Sequence, residues 1–246
     1  METNTSDFVY ADKPGIVENA EASRKFIANV FLWMFVALGL SSVCTYIFAF
    51  NPELSAIIRD PLTNHNTIWG TVVTFAPLAF VFLISGAFNK FSFAGLLIAF
   101  LAFSALMGMS LSNIFYMYSV ATISGTFITA AVVFGVMAVG GYITHQDLTK
   151  FGSILIMLLI GIVVATLLNA FILHSGSLGL IISYIGVAVF VGLTAYDVQK
   201  LKRMGAVIEA GDESGKKMAI MGALTLYLDF INLFLMLLRV FGGNRR

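Results

Sequence analysis

The sequence predicts an all-α, polytopic membrane protein with seven transmembrane helices. Of its 246 residues, 59% are apolar and only 11% are charged, and the mean hydropathy is +0.93. A soluble globular domain typically has about 45–50% apolar and about 25% charged residues. The apolar residues form runs long enough to cross a hydrocarbon layer roughly 30 Å thick. This composition excludes an ordinary soluble domain, and the scattered basic residues form no stripe that would bind nucleic acid.

Seven apolar runs, separated by polar breaks, give the order of the predicted helices. Asn51 and Pro52 end the first run, because the residue before a proline disfavours helix. Only Asn89 and Lys90 separate the second run from the third, so these helices are expected to be antiparallel neighbours. The longest charged segment, residues 200–217, precedes the last run. The predicted spans are residues 26–50, 67–88, 91–114, 121–144, 151–173, 178–199 and 218–241.

The segments outside the spans indicate domain organisation and orientation. Residues 1–25 form a polar tail without a signal-peptide pattern, residues 26–241 form one transmembrane domain, and residues 242–246 form a short basic tail. Seven full spans place ten Lys and Arg residues beside the amino terminus and four on the other side. Cytoplasmic loops carry an excess of such residues, so the amino terminus is predicted to be cytoplasmic. A re-entrant seventh run would return Arg239 to the basic side, so the side of the carboxyl terminus stays open.

One carboxylate lies in the middle of the last span. Asp229 is about 16 Å into its predicted helix, and an ionisable group at that depth is costly and by default marks a functional site. Asp197, at the end of the preceding span, is its best partner. Two carboxyl groups facing each other away from water are not both readily charged, so the pair is expected to share one proton. A surface salt bridge from Asp197 to Lys200 is the open alternative.

Other polar residues in the last three spans are candidates for lining a site or a path. Two of them share a helical face with Asp229, whereas Arg239 lies near a helix end, where it can also snorkel to the interface. The three histidines are far apart and Cys44 is alone, so no metal site is predicted from these residues and no cofactor is expected. The candidate lining residues are Thr225, Asn232, Tyr196, Arg239 and Asn169.

These segments resemble the signatures of a known family. Residues 223–234, ALTLYLDFINLF, followed by LLR at 237–239, resemble the closing signature of the transmembrane Bax inhibitor motif family, which includes Bax inhibitor-1 and lifeguard proteins. Residues 195–199, AYDVQ, resemble the preceding aspartate motif of that family, and residues 147–149, DLT, resemble its fourth-to-fifth connection. The resemblance covers all seven spans. A bacterial member in an inner membrane is expected, with an internal eukaryotic membrane as the alternative.

The resemblance implies both an architecture and an activity. It implies a ring of helices around a central seventh helix, and a pH-sensitive calcium leak in which Asp197 and Asp229 share a proton and latch the cytoplasmic side. Loss of the proton would let two like charges repel and would offer hard oxygen ligands to calcium. Calcium is therefore expected as the permeant ion, bound by the deprotonated aspartates. Some relatives carry acidic or arginine residues around the second helix, where this chain has only Asn89 and Lys90, so an arginine-gated version is not predicted.

Other classes of function stay open beside the leak channel. The chain could bind and regulate another membrane protein, such as a protease or a cell-death factor, without conducting ions, or it could be a proton-coupled transporter. Tyr196 and Asp197 fit half of an intramembrane aspartyl protease motif, but the residues before Asp229 lack the glycines of the other half. An enzyme is therefore not predicted. The expected partners are the lipid bilayer, calcium and protons, with no nucleic acid and with any protein partner unknown.

Overall fold

A computed structural model describes residues 20–63, 65–208 and 212–243. Its long elements are all helical, and an antiparallel bridge between Arg59 and Asn66 joins two short loop segments. The helices are α1 (Ala20–Phe50), α2 (Pro52–Ile58), α3 (Ile68–Gly86), α4 (Phe93–Leu111), α5 (Ile114–Met117), α6 (Val120–Ile143), α7 (Thr149–Leu168), which continues as a π-helical turn (Asn169–Leu173), α8 (Gly176–Val207) and α9 (Glu213–Phe241).

Seven helical segments of the described chain are long and apolar enough to cross a membrane, as predicted. They are α1, α3, α4 extended by α5, α6, α7 with its π-helical turn, α8 and α9. Asn51 begins the short α2 by accepting the backbone N–H groups of Glu53 and Leu54. The all-α, polytopic fold class is therefore confirmed.

The segment 200–217, predicted to be a charged connection, is mostly helical. α8 continues to Val207 and α9 begins at Glu213, and α1 likewise begins at Ala20 rather than at residue 26. These extra turns pack against each other: the Ser23 hydroxyl donates to the Lys202 carbonyl at 2.8 Å, and Gly205 lies against the Phe26 ring. The spans predicted from hydropathy were shorter than the helices. Hydropathy responds to the charged side chains on one face of a helix but not to the contacts that bury its other face.

The last helix, α9, is the centre of the bundle. Buried residues make up 67% of its most apolar stretch, against 11% for α7. α9 packs against α1, α4, α6 and α8, and its Tyr227 is completely buried. The central position implied for the seventh span is the position that this helix occupies.

α8 and α9 run antiparallel over their whole length. Leu201 lies against Gly222 near one end, Met236 against Gly186 further along, and Arg239 near Gly179 at the other end. The seventh run is therefore a full span and not a re-entrant loop. We call the end of the bundle that carries Lys90, Lys150 and Lys200 the basic end, and the other the opposite end.

Candidate functional site

Asp197 and Asp229 form a buried pair between α8 and α9. Only 9% of Asp197 and 5% of Asp229 are exposed, and the two carboxyl groups interact with each other as charges and as hydrogen-bonding groups. The antiparallel course of the two helices brings these residues to the same level. The structure thus places together the two residues that the sequence suggested as partners, and we call them the aspartate pair.

The extended α8 explains how an aspartate near the end of an apolar run meets one at the middle of another. α8 continues ten residues beyond Asp197, from 197 to 207, which is about 15 Å of helix. Asp229 lies 16 residues after the first residue of α9, from 213 to 229, or about 24 Å along it. In the structure the two aspartates differ less in depth along their helices than in the predicted spans, because Asp197 is well inside α8.

Hydrogen-bond chemistry limits the charge that this pair can carry. Asp229 Oδ2 is buried and has no hydrogen-bond donor among the described residues. Ionised carboxylates only accept hydrogen bonds, whereas a protonated one also donates. A hydrogen bond between the two side chains therefore requires one proton, and that proton provides a donor that the surrounding protein does not.

A cleft of about 410 Å³ reaches Asp197 from the basic end. Asp197 lines this cleft and Asp229 does not, so Asp197 stands between the cleft and the deeper carboxyl group. Polar side chains from three places share the lining: Asn89 after α3, Lys200 on α8 and Thr225 on α9. Among the described residues that line the cleft, Lys200 is the only charged one besides Asp197.

The predicted alternative, a salt bridge between Asp197 and Lys200, is not formed. No oxygen of Asp197 lies within 4.0 Å of the Lys200 amine in the described structure, where the ion pairs are Lys25 with Glu21 and Arg203 with Asp147. The Lys200 amine instead lies 6.0 Å from the centre of the Tyr196 ring. Asp229 is consequently the carboxyl partner of Asp197, while Lys200 contributes a positive charge at the cleft.

On the side of α9 that faces α1 and α4, next to the level of the pair, the core of the bundle is closed by aromatic residues. The Tyr227 hydroxyl lies 2.7 Å from the Ser41 hydroxyl, and Ser41 donates to the Ser104 carbonyl at 2.6 Å. The rings of Phe100 and Phe103 pack edge-on against Tyr227. Neither Tyr227 nor Ser41 was predicted as a site residue. The available signal was a tyrosine two residues before the aspartate in the middle of the last span.

The other candidate residues have different positions. Thr225 lines the cleft and donates to the Met221 carbonyl within its own helix. Tyr196 packs instead against Gly152 of α7, and Asn232 is half-buried and is not one of the cleft residues. Arg239 and Asn169 lie together at the opposite end and line a separate cavity.

A hydrogen-bonded latch holds the α6–α7 loop to α8 next to the aspartate pair. Gln199 accepts the Leu148 N–H at 2.9 Å and donates to the Gln146 carbonyl at 2.7 Å. One turn further, Arg203 donates to Asp147 at 2.8 Å. Hydrogen bonds from Thr149 and Arg203 lower the pKa of Asp147 to about 2. These contacts of Gln199 and Arg203 with the loop were not predicted from the sequence, because no motif shows which helix the loop meets.

The aspartate pair and the cleft offer a limited set of oxygen ligands. The described residues contain no cluster of three or more His, Cys, Asp or Glu side chains placed to hold a metal ion. Calcium takes six to eight oxygen ligands in protein sites. Two carboxylates, with the Thr225 hydroxyl and the Asn89 amide at the cleft, supply part of such a shell and leave the rest to water.

Comparison with known proteins identifies the family. The family model described as "Inhibitor of apoptosis-promoting Bax1" matches residues 23–246. "Inner membrane protein YbhL" of Escherichia coli K12 is 46% identical over 231 residues, which are 94% of this chain and 96% of that protein. A protein of Borreliella burgdorferi is 44% identical over 90% of this chain and 93% of its own length, and one of Rickettsia prowazekii is 41% identical over 92% of each. The resemblance around Asp229 is thereby confirmed, and the chain belongs to the Bax inhibitor-1 family as a multi-pass integral membrane protein.

Proposed function

We propose that the protein is a pH-gated calcium leak pathway of a bacterial inner membrane, with the aspartate pair as its gate. The observation that carries this proposal is the direct contact of two buried carboxyl groups from different helices. Such a contact is favourable while the pair holds a proton and unfavourable once both groups are charged. The inner-membrane location rests on the Escherichia coli relative and on the seven apolar helices.

The shut state in this proposal is the one with a shared proton. A hydrogen bond between Asp197 and Asp229 then ties α8 to α9 at the basic end, and the aromatic rings around Tyr227 fill the core between α9 and α4. In this state the cleft ends at Asp197, and an ion entering from the basic end meets a neutral donor rather than two free carboxylates.

Loss of the proton opens the gate in the same scheme. Two like charges in a poorly solvated interior repel strongly, so α8 and α9 separate at this level, and water enters from the cleft. The freed carboxylate oxygens are suitable ligands for calcium. Acid therefore favours the shut form, and calcium favours the deprotonated form because it binds that form alone.

Calcium flux into liposomes tests the gate. We expect the purified protein to pass calcium faster at pH 8 than at pH 6, and we expect Asp197→Asn and Asp229→Asn each to remove this difference, because an amide cannot gain or lose the proton. Asp212→Asn is the matched control, since Asp212 lies at the start of α9 and its side chain caps no helical N–H. An unchanged pH profile in both pair variants would contradict the proposed gate.

A second candidate function is regulation of another membrane protein without ion conduction. The closed aromatic core around Tyr227 and the inhibitor activity in the family description favour it. In that case the pair would control the shape of the basic end, and the cleft would be part of a binding surface. Co-purification of a partner together with liposomes that show no calcium flux at any pH would favour this function over the leak pathway.

A further inference from the structure

A second polar cavity lies at the opposite end of the bundle, away from the aspartate pair. Its volume is about 660 Å³, within the range of small-molecule sites. The end of α7, the beginning of α8 and the end of α9 surround it. None of the described residues that line it is acidic, and the charged side chain among them is Arg239. We call it the Arg239 cavity.

Arg239 has no carboxylate partner in the part of the chain that the structure describes. Its guanidinium lies near Gly179 and the Asn169 amide, since a methyl group placed on Gly179 would be 3.7 Å from Arg239 Nη1 and 3.3 Å from Asn169 Nδ2. Arginine presents several donors in a planar fork that matches phosphate and carboxylate oxygens. An anion in the cavity would therefore meet the charge that the protein leaves unpaired.

The wall of the cavity is held in place by a π-helical turn. Asn169 accepts the Ser175 N–H at 2.9 Å and donates to the Ser175 carbonyl at 3.0 Å, and the turn ends at His174 with a left-handed φ of 50°. This arrangement fixes the beginning of α8 at the cavity. The first N–H groups of a helix, here those of Gly176 and Ser177, lack partners within the helix and attract anions.

An unpaired hydroxyl is a second, independent feature of the same cavity. Thr166 lines the same cavity, and its Oγ1 is buried without a hydrogen-bond partner in the described residues. Threonine within a helix commonly donates to a carbonyl of the preceding turn, as Thr225 does in α9. A buried hydroxyl without a partner costs free energy that a bound acceptor would restore.

From these observations we propose that the Arg239 cavity binds a phosphate group, either on a lipid headgroup or free in solution. Arg239 supplies the charge, the first turn of α8 supplies backbone donors, and the Thr166 hydroxyl supplies a third donor. Large apolar side chains of the adjoining π-helical turn are exposed, with Phe171 62% and Ile172 67% accessible. These exposed side chains indicate a lipid-facing position, where phospholipid headgroups are within reach. The proposal does not depend on calcium conduction.

Thermal unfolding of the purified full chain in detergent tests this site with two probes, inorganic phosphate and short-chain phosphatidylglycerol. Binding to the folded state raises the unfolding temperature with ligand concentration. We expect Arg239→Gln to weaken binding about tenfold or more, because a charged hydrogen bond is lost, and Arg239→Lys to restore part of it. Arg59→Gln, at the same end of the bundle, is the matched control.

A second variant, Thr166→Val, tests the same site if the Arg239 variants fold poorly. Its hydroxyl has no partner to lose, so this variant should fold normally and yet bind the probe more weakly by about threefold or more. Stabilisation by phosphate would show a site for free anions, and stabilisation by phosphatidylglycerol alone, with short-chain diacylglycerol, which lacks the phosphate, inactive, would show a lipid site. Equal stabilisation of wild type, Arg239→Gln and Thr166→Val, or no stabilisation by either probe, would overturn the proposal.

Discussion

The two ends of the α8–α9 contact differ in the sign and the burial of the charged groups that they contain. At the basic end two like charges, Asp197 and Asp229, are buried against each other. At the opposite end a single positive charge, Arg239, is exposed in a cavity without an acidic partner. Both arrangements come from the same antiparallel contact, so the difference lies in what surrounds it. Close packing of α9 against α1, α4 and α6 accompanies the burial of Asp229, whereas the π-helical turn leaves space beside the arginine.

The largest expected effect comes from removing the charge of the aspartate pair. Replacing a buried ion pair by well-packed apolar residues is often neutral or stabilising by about 1–4 kcal/mol. Two like charges lack even the attraction of an ion pair. We therefore expect the double variant Asp197→Leu/Asp229→Leu to raise the free energy of unfolding at pH 8, and to gain less at pH 5, where a shared proton already relieves the repulsion. Denaturant unfolding at the two pH values measures this.

Arg239→Leu is the counterpart at the opposite end. Because Arg239 is exposed, its removal should change the free energy of unfolding by less than about 0.5 kcal/mol at either pH, in the absence of a phosphate ligand.

An equal gain in the free energy of unfolding of the double aspartate variant at pH 5 and pH 8 would mean that the pair carries no pH-dependent charge. The contrast between the two ends would then be lost.

Glycine substitutions measure the difference in packing. A Cβ on Gly141 would meet the backbone of Ala195, 2.7 Å from its Cα, whereas one on Gly140 would meet nothing within 4 Å. We expect Gly141→Ala to destabilise the protein by about 1–3 kcal/mol and to disturb the aspartate pair two residues further along α8. Gly140→Ala is the adjacent control and should be nearly neutral.

At the opposite end the corresponding change should be tolerated better. A Cβ on Gly179 would approach only the ends of the Asn169 and Arg239 side chains, which can move, so Gly179→Ala should lower the unfolding temperature less than Gly141→Ala does. Thermal unfolding of the three variants under one condition gives the comparison. Equal losses for Gly141→Ala and Gly179→Ala would show that the two ends are packed equally tightly.

The smallest effect is expected at the surface latch beside the pair. The pKa of Asp147 is lowered from its ordinary value of 3.8 to about 2 in the folded protein. Such a carboxylate stabilises the folded state at pH values above 3.8, and this contribution is lost as the pH falls through the folded-state pKa. The Asp147–Arg203 contact should therefore stay intact between pH 5 and pH 8. Asp147→Asn should speed hydrogen exchange of residues 146–149 by the same factor at both pH values, without moving the pH profile of calcium flux.

Exchange measured by mass spectrometry at pH 5 and pH 8, corrected for the intrinsic rate at each pH, checks this. Asp60→Asn is a suitable control: Asp60 is also a loop carboxylate held by local hydrogen bonds, from the Leu62 N–H and the Thr63 hydroxyl. A shift of the flux profile in Asp147→Asn alone would assign part of the gating to the latch.

Much of the fold followed from composition and run length, because a hydrocarbon layer admits few ways to satisfy the backbone. Seven apolar runs were enough to predict seven spans, and a carboxylate in the middle of the last run was enough to mark Asp229. The helical turns at 200–207 and 213–217 were not predicted, because their stability comes from contacts such as Ser23 with Lys202 rather than from hydropathy.

The sequence by itself determined the family, the number of spans and the two aspartates, since each depends on local composition or on a contiguous motif. Only the tertiary structure decided that Asp229 and not Lys200 is the partner of Asp197, that Tyr196 faces α7, and that Arg239 shares a cavity with Asn169 and Thr166. These results depend on which helices are neighbours and how far one is shifted along the other. The sequence of a membrane helix gives little information about its neighbours or its shift along them, because residues facing lipid and residues facing another helix are similarly apolar.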